Sequence, residues 1–271
     1  MIGFELTEEQ KQFQELAHEF SEKEIRPVAH AYDENEEFPW PVLVKAADLG
    51  LLTYGIPEEY GGAGVRSVMT HCLIGEELAW GCAGISTAMG AVMLGASPII
   101  LSGTTAQQKK FLPRLGRVTA PGRVALGAFC LTEPESGSDA ASIQTSAKKV
   151  SGGYVLNGTK HFISNGGIAD VYTVFATHDA SQGADGIDAF IVLGEQEGVK
   201  PGKKEKKMGI RASHTAQIHF EDVFVPEENR LGEEGEGFLV ALKTLEYSRP
   251  GVAASALGVA RAAFEFALQY S

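Results

Sequence analysis

The hydrophobic pattern of this chain changes twice, and these two changes limit the folds open to it. Up to about residue 123, apolar side chains recur at the three- and four-residue spacing of helices, with no strand pattern of any strength. Residues 124–232 carry short β-leaning runs separated by glycine-rich turns, and the helical spacing returns from residue 233. The pattern predicts an α+β, multi-domain protein.

The helical part can be divided from its capping and breaking residues. A first helix should begin after Thr7, because Thr7 and Gln10 have the spacing of a capping box, and Pro27 should kink or interrupt it. Further helices are predicted over residues 40–51, over 67–102 with a break near 81–84, and from about 107 to 115.

The middle part should form strands. Asn157-Gly158 lies between two of the β-leaning runs and predicts a hairpin turn. Regularly spaced short strands are typical of a small barrel or sandwich. The predicted strands are 143–150, 154–156, 160–164, 171–176, 188–193 and 217–220, and helices are predicted again over 238–245 and 253–270.

Composition excludes several classes of function. The 271 residues carry a formal charge of −12, which argues against a large nucleic-acid footprint. Three cysteines without C-x-x-C spacing, and seven histidines without metal-ligand spacing, predict neither a disulfide framework nor a metal site. We found no secretory signal and no apolar stretch long and clean enough to span a bilayer. We therefore expect the protein to be located in the cytoplasm or in an organelle matrix.

The stretch "LTEPESGSDA", residues 131–140, places small polar groups on a bend behind an apolar run. Proline, glycine, serine and aspartate are ordinary turn formers, so a simple turn is one interpretation. The other is the wall of a site, where hydroxyls and free N–H groups hold a polar aromatic cofactor or its phosphates. The chain has no G-x-G-x-x-G after a strand, P-loop, H-E-x-x-H or G-x-S-x-G motif.

Five segments follow one another along the chain: "EELAWGCAGISTAMG" (76–90), "TEPESGSD" (132–139), "NGTKHFISNGG" (157–167), "MGIRASHTAQIHFEDVFVP" (208–226) and "GEGFLVAL" (235–242). In this order they resemble the acyl-CoA dehydrogenases, and residues 6–29 and 97–115 are most similar to the medium-chain type. The resemblance implies an N-terminal helical domain (1–123), a middle β-barrel-like domain (124–232) and the start of a C-terminal helical bundle (233–271). It also implies that most of the C-terminal domain is absent from this chain.

The resemblance implies that FAD is the cofactor. Thr132 would offer a hydroxyl to the flavin's polar edge, Phe162 would pack against the ring, and Ser164 would reach N5. Glu133, Glu135 and Asp139 are expected to shape the loop or face solvent. The implied cofactor-binding residues are Phe129, Cys130, Leu131, Thr132, Gly137, Ser138, Phe162, Ile163 and Ser164.

The resemblance also implies an acyl-CoA site lined by Ser138, Glu246, Ser248 and Arg249. Glu246 and Arg249 share a helix face, so a plain surface pair is the alternative. The acyl tail is expected among residues 86–94, where plain helix packing is the other interpretation. Some family members carry the catalytic glutamate at the position of Ser248, and most carry it in the C-terminal domain. No catalytic residue is therefore assigned in this chain.

The function implied is α,β-dehydrogenation of a fatty acyl-CoA, as in fatty acid β-oxidation. A carboxylate removes the α-proton while the β-hydrogen leaves as hydride to flavin N5. The implied partners are an electron-transfer flavoprotein and further copies of the chain in a homotetramer. Two alternatives stay open: a truncated, non-catalytic flavin- or acyl-CoA-binding module, and an oxidase relative.

Overall fold

The computed structural model describes residues 5–271, and its first part is helical. The predicted capping box is confirmed, since the Gln10 amide donates to the Thr7 hydroxyl over 3.2 Å and Gln10 Oε1 accepts from the Thr7 amide. Within residues 5–271, six α-helices precede the main sheet: α1 (Glu8–Phe20), α2 (Arg26–Glu34), α3 (Trp40–Asp48), α4 (Val68–Gly81), α5 (Ala83–Ser102) and α6 (Thr105–Phe111).

Two helix boundaries differ from the prediction. The interruption expected at Pro27 lies just before it: a π-helical turn, Ser21–Ile25, joins α1 to α2, and Pro27 lies in the first turn of α2, where its missing N–H is tolerated. The second predicted helix ends at Asp48 rather than near residue 51, because Gly50 adopts φ +73° and turns the chain. The break between α4 and α5 lies where it was predicted.

A two-stranded hairpin leads into the main sheet. It pairs β1 (Val118–Ala120) with β2 (Arg123–Val124), in a region where no strong strand was predicted. The main sheet contains β3 (Gly127–Cys130), β4 (Ser146–Val150), β5 (Gly153–Ser164), β6 (Val171–Thr177), β7 (Ile187–Leu193), β8 (Val199–Lys204), β9 (Thr215–Pro226) and β10 (Arg230–Leu231).

The main sheet is open. Its strand order is β10-β7-β6-β4-β5-β9-β8, with β3 pairing in parallel to β6. Within residues 5–271 no pairing joins the edge strands β8 and β10. The middle part is therefore a sheet domain, and the barrel-like expectation is corrected to an open sheet.

The hairpin predicted at Asn157-Gly158 is wrong. Both residues lie inside the 12-residue strand β5. The turn between β4 and β5 is instead Ser151-Gly152, with Gly152 at φ +81°. Gly158 serves close packing, since a Cβ there would come within 2.5 Å of the Thr145 hydroxyl.

A single helix, α7 (Gly237–Tyr270), follows the sheet and includes Pro250. One face packs closely on α4: a Cβ at Gly258 would lie 2.1 Å from the Glu76 carbonyl oxygen. The rest of α7 exposes large apolar side chains, namely Leu239, Leu242, Val252, Leu257, Val259, Phe264, Phe266, Leu268 and Tyr270.

By length and composition, α5 and α7 are each apolar enough to cross a membrane. The prediction that no apolar stretch is long enough to span a membrane is therefore wrong by length and composition. Burial separates the two helices: 72% of the apolar window of α5 lies inside the protein, against 6% for α7. The composition of α5 is that of a core helix.

Candidate functional site

The two stretches predicted to hold the cofactor lie side by side. The loop after β3 begins at Leu131, and the His161 amide in β5 donates to the Thr132 carbonyl over 2.8 Å. Lys160 Nζ donates to the Leu131 carbonyl over 3.1 Å. Loop 131–138 is thus attached to β5 by one main-chain hydrogen bond and by the Lys160 side chain.

A buried ion pair holds this loop in place. Lys160 Nζ lies 2.7 Å from Glu133 Oε1, and the two side chains are 0% and 6% exposed. Glu133 also accepts from the Gln144 and Thr145 amides over 2.6 and 2.9 Å. Burial alone raises the pKa of Glu133, but Lys160 and the amides outweigh it and hold the pKa below its ordinary value. Burial lowers the pKa of Lys160.

This pair confirms the loop-shaping role expected for Glu133, and it reveals a residue that sequence analysis missed. Lys160 lies within a strand pattern, where a lysine is normally read as solvent-facing. No local signal marked it as buried, since Phe162, two residues further along the strand, is exposed.

The surface beside the ion pair presents a flat ring and free hydroxyls. Phe162 is 60% exposed, adopts φ +56°, and stacks on His161 with ring centroids 3.9 Å apart. A positive φ at a bulky residue is strained and is found mostly at functional positions. The hydroxyls of Thr132, Ser138 and Ser164 make no hydrogen bond to any side chain or carbonyl within residues 5–271.

The remaining predicted cofactor residues divide by burial. Cys130 and Ile163 are buried in the core, and burial raises the pKa of the Cys130 thiol. Leu131 is buried as well, whereas Gly137 and Ser138 are exposed. Phe129 is half-buried and packs on Phe175, with centroids 4.9 Å apart. A cofactor bound here could therefore contact the side chains of some of these residues and only the main-chain groups of the others.

An apolar cavity of about 250 Å³ opens between α4, α5 and α7. Its walls include Leu78 of α4, Met89 and Met93 of α5, and Val252 of α7. Gly90 leaves room in it, because a Cβ there would meet no atom within 4 Å. The predicted tail segment, residues 86–94, supplies one wall, and Ser164 from the end of β5 reaches the same cavity.

Three aromatic side chains from distant segments meet in the cavity lining. The Tyr247 hydroxyl lies 3.1 Å from His71 Nδ1, and His71 Nε2 lies 2.9 Å from the Val65 carbonyl oxygen. Tyr54 packs edge-on against His71, with centroids 5.0 Å apart. Sequence analysis missed this cluster, because no local pattern links residues so far apart in the chain.

Of the predicted substrate residues on α7, only Ser248 lines the cavity. Its hydroxyl donates to the Leu245 carbonyl over 3.1 Å. Glu246 and Arg249 are exposed, and no ion pair joins them in the described part of the chain. Across residues 5–271, no cluster of three histidine, cysteine or acidic side chains has the arrangement of a metal site.

Three family profiles match the chain in succession. They are the acyl-CoA dehydrogenase N-terminal domain over residues 7–119, the middle domain over 128–223 and the C-terminal domain over 235–271. The domain boundaries given above remain predictions.

Known proteins resemble the chain over its whole length. A short-chain specific acyl-CoA dehydrogenase of Megasphaera elsdenii is 46% identical, covering 100% of this chain and 70% of the relative. A probable mitochondrial medium-chain specific enzyme of Caenorhabditis briggsae is 40% identical, covering 100% and 65%. A structure from work on the electron transferring flavoprotein of Acidaminococcus fermentans superimposes with TM-score 0.93 at 42% identity, covering 100% and 70%. The chain belongs to the acyl-CoA dehydrogenase family, oxidoreductases that act on CH–CH groups.

Proposed function

We propose that the chain takes part in FAD-dependent α,β-dehydrogenation of an acyl-CoA, with a short acyl group. One observation carries this proposal: the apolar cavity between the helices reaches Ser164, at the end of the strand that adjoins loop 131–138. A thioester tail in the cavity would therefore end beside a flavin held by these two segments. The short-chain relative supports the chain length.

The residues fit a flavin. In our proposal the exposed Phe162 ring packs against the flavin ring, the free hydroxyl of Thr132 donates to the polar edge of the flavin, and that of Ser164 reaches N5. Gly137 and Ser138 are exposed and would meet the phosphate side and the pantetheine. Phe129, Cys130, Leu131 and Ile163 would contribute main-chain groups or packing, since their side chains face the core wholly or in part.

FAD, when bound, supplies the acceptor for the hydride that leaves the β-carbon. The protein's own residues supply orientation and exclusion of water. The Lys160–Glu133 pair fixes the loop that carries Thr132, so its hydroxyl needs no rearrangement when the substrate binds. The apolar walls around Met89 and Met93 exclude water from the acyl group, which favours loss of its α-proton to a carboxylate.

The carboxylate itself is not assigned. No aspartate or glutamate lines the cavity within residues 5–271, and the helix position that can hold the base carries Ser248. This observation favours a second candidate, a module that binds flavin and acyl-CoA without turning the substrate over. Glu246 is about 200° around the helix from Ser248 and is exposed.

We further propose an electron-transfer flavoprotein as redox partner and a homotetramer as the assembly. The similarity to the Acidaminococcus fermentans structure supports the first. The exposed apolar face of α7 supports association with further protein.

Reconstitution tests the proposal. The purified protein is incubated with FAD, freed of unbound flavin, and mixed with butyryl-CoA and an electron-accepting dye in the absence of oxygen. Retained FAD and dye reduction support a dehydrogenase, whereas peroxide formed in air would indicate an oxidase. A folded protein that retains no FAD contradicts the proposal, and retained FAD without reduction indicates the binding module.

A further inference from the structure

Within residues 5–271, five of the eight hydroxyl groups that line the cavity are hydrogen-bonded to the protein itself. Four of them donate to the backbone of their own helix: Thr87 to Ala83, Ser97 to Met93, Ser248 to Leu245 and Ser255 to Gly251, over 2.7–3.1 Å. Such hydroxyls offer little to a ligand, because their single proton is already used. These four hydroxyls therefore add little polarity to the cavity walls.

Hydrogen bonding also fixes the roles of His71 and Tyr247. The Val65 carbonyl can only accept, so His71 Nε2 carries a proton and donates to it. Burial lowers the pKa of His71, and the neutral ring leaves Nδ1 as an acceptor for the Tyr247 hydroxyl. The Tyr247 oxygen therefore retains lone pairs that can accept from a ligand.

Three hydroxyls of the cavity lining, those of Ser86, Ser164 and Tyr54, make no hydrogen bond within residues 5–271, and of these three only Tyr54 packs against His71. Within residues 5–271 its phenol has no hydrogen-bond partner, although the residue is partly buried and lines the cavity. Burial and the neighbouring Tyr247 raise the pKa of Tyr54, so the phenol stays protonated and can donate. An unpaired donor in an apolar site disfavours a hydrocarbon ligand and favours one that brings an acceptor.

The Tyr54 cluster and Ser164 lie at different depths of the cavity. Asn165, next to Ser164, contacts the Ala88 carbonyl of α5, whereas a Cβ at Gly55 would lie against Met93 and His71. Five residues separate Ala88 from Met93, roughly 7.5 Å along a helix. The cluster is thus placed to meet the distal part of an acyl chain and not its thioester.

We propose that Tyr54, with Tyr247 beside it, forms a polar subsite that selects acyl-CoA thioesters carrying an uncharged oxygen near the distal end of the acyl chain. A hydroxyl there accepts from Tyr54 and donates to the Tyr247 oxygen. A carboxylate is disfavoured, because no lysine or arginine lines the cavity in the described part of the chain. This subsite rests on the proposed function, which places the acyl tail in the cavity.

Calorimetric titration of the FAD-loaded protein under nitrogen tests the subsite. The ligands are hexanoyl-CoA and 6-hydroxyhexanoyl-CoA, with butyryl-CoA and 4-hydroxybutyryl-CoA as a shorter pair. We expect the hydroxylated member of at least one pair to bind about tenfold more tightly. In Tyr54→Phe this preference should disappear, and in Ser97→Ala, whose hydroxyl already donates to Met93, it should persist.

The outcomes separate the two proposals. Equal affinity within both pairs, or a preference that survives Tyr54→Phe, would overturn the subsite while leaving acyl-CoA binding in place. Failure of every thioester to bind the FAD-loaded protein would overturn the proposed function together with the subsite. Adipoyl-CoA, which carries a distal carboxylate, should bind more weakly than hexanoyl-CoA, and tighter binding would contradict the uncharged preference.

Discussion

Among single residues, Lys160 has the largest influence on the candidate site, because its buried charge shapes loop 131–138. Lys160 is fully buried and meets Glu133, which also accepts two main-chain amides. A buried ion pair contributes little compared with an apolar pair, but removing one partner leaves an uncompensated charge. The pair therefore constrains loop 131–138 more than it stabilises the fold.

Lys160→Met should lower the free energy of unfolding by about 3–5 kcal/mol, because it strands the Glu133 carboxylate in the core. Urea denaturation at neutral pH measures the change. Lys149→Met is the matched control, since Lys149 pairs with Glu234 at the surface and its loss should have no measurable effect.

The double variant Glu133→Gln/Lys160→Met should be more stable than Lys160→Met alone, because the stranded charge is gone. A Lys160→Met protein as stable as the wild type would contradict the account of this loop.

Sequence analysis predicted only some of the residues that shape or line the candidate site. It expected Glu133 to shape the loop, and the resemblance directed attention to Thr132, Phe162 and Ser164, which the fold brings together. It did not find Lys160, because a lysine in a strand gives no sign of which face it occupies. Tyr54 and His71 were missed for a related reason: their partners come from segments far away in the chain.

At the scale of elements, α5 forms one wall of the cavity, and Gly90 lies in that wall. Gly90→Leu should fit without a clash, since a Cβ there meets no atom within 4 Å, and leucine favours the helix over glycine. We expect weaker binding of hexanoyl-CoA, with butyryl-CoA affected less, because the new side chain fills cavity volume. Calorimetric titration of the FAD-loaded protein gives both affinities.

Gly209→Leu provides the control, because Gly209 is exposed, has open space around it and lies outside the cavity. An unchanged chain-length profile in Gly90→Leu would contradict the placement of the acyl tail in this cavity.

Glu77 of α4 joins three helices, and its ionisation should make the stability of the fold depend on pH in the acidic range. It is 3% exposed and accepts from Gln14 and His18 of α1 and from Arg261 of α7. Burial alone raises the pKa of Glu77, but the hydrogen bonds from Arg261, His18 and Gln14 outweigh it and lower the pKa. A lowered folded-state pKa stabilises the fold above the ordinary value of 4.5, and this contribution is lost as pH falls below it.

Glu77→Gln should therefore cost about 2 kcal/mol at pH 7, and the difference from the wild type should shrink as the pH falls below about 4.5. Urea denaturation across this pH range measures both effects. Glu8→Gln, at an exposed pair with Lys11, should leave the curve unchanged. A difference that stays constant with pH would show that the Glu77 charge plays no part.

Helix starts and breaks that are marked by a short sequence motif were predicted correctly. The capping box at Thr7 gave the start of α1, and Gly81 marked the break between α4 and α5. The prediction of a turn at Asn157-Gly158 was wrong, because the dipeptide that favours a hairpin turn also suits a tightly packed strand position. The sequence alone could not predict that the sheet is open, because the pairing of edge strands is decided by contacts between distant segments.

At the scale of the whole molecule, α7 carries an apolar surface that the rest of residues 5–271 does not cover. Leu257, Phe264 and Leu268 lie at helical spacing on one face and are all more than half exposed. A protein consisting of this chain should associate through that face, because continuous apolar patches are rarely left in water.

Sedimentation velocity over a range of protein concentrations should show species larger than the 28.9 kDa monomer. Phe264→Glu combined with Leu268→Glu should shift the protein towards the monomer, whereas Gln269→Glu, which adds charge without removing apolar surface, should not. A wild-type protein that stays monomeric at high concentration would contradict this role for α7.

We propose that acyl-CoA and flavin meet where the cavity reaches Ser164. Flavin absorbance, followed after anaerobic mixing of the FAD-loaded protein with butyryl-CoA, tests it most directly. For a chain verified by mass to comprise residues 1–271, we predict slow bleaching in the wild type and faster bleaching in Ser248→Glu, which places a carboxylate in the cavity lining. Bound FAD that is bleached in neither protein would contradict the claim, and rapid bleaching in the wild type would show that another residue acts as the base.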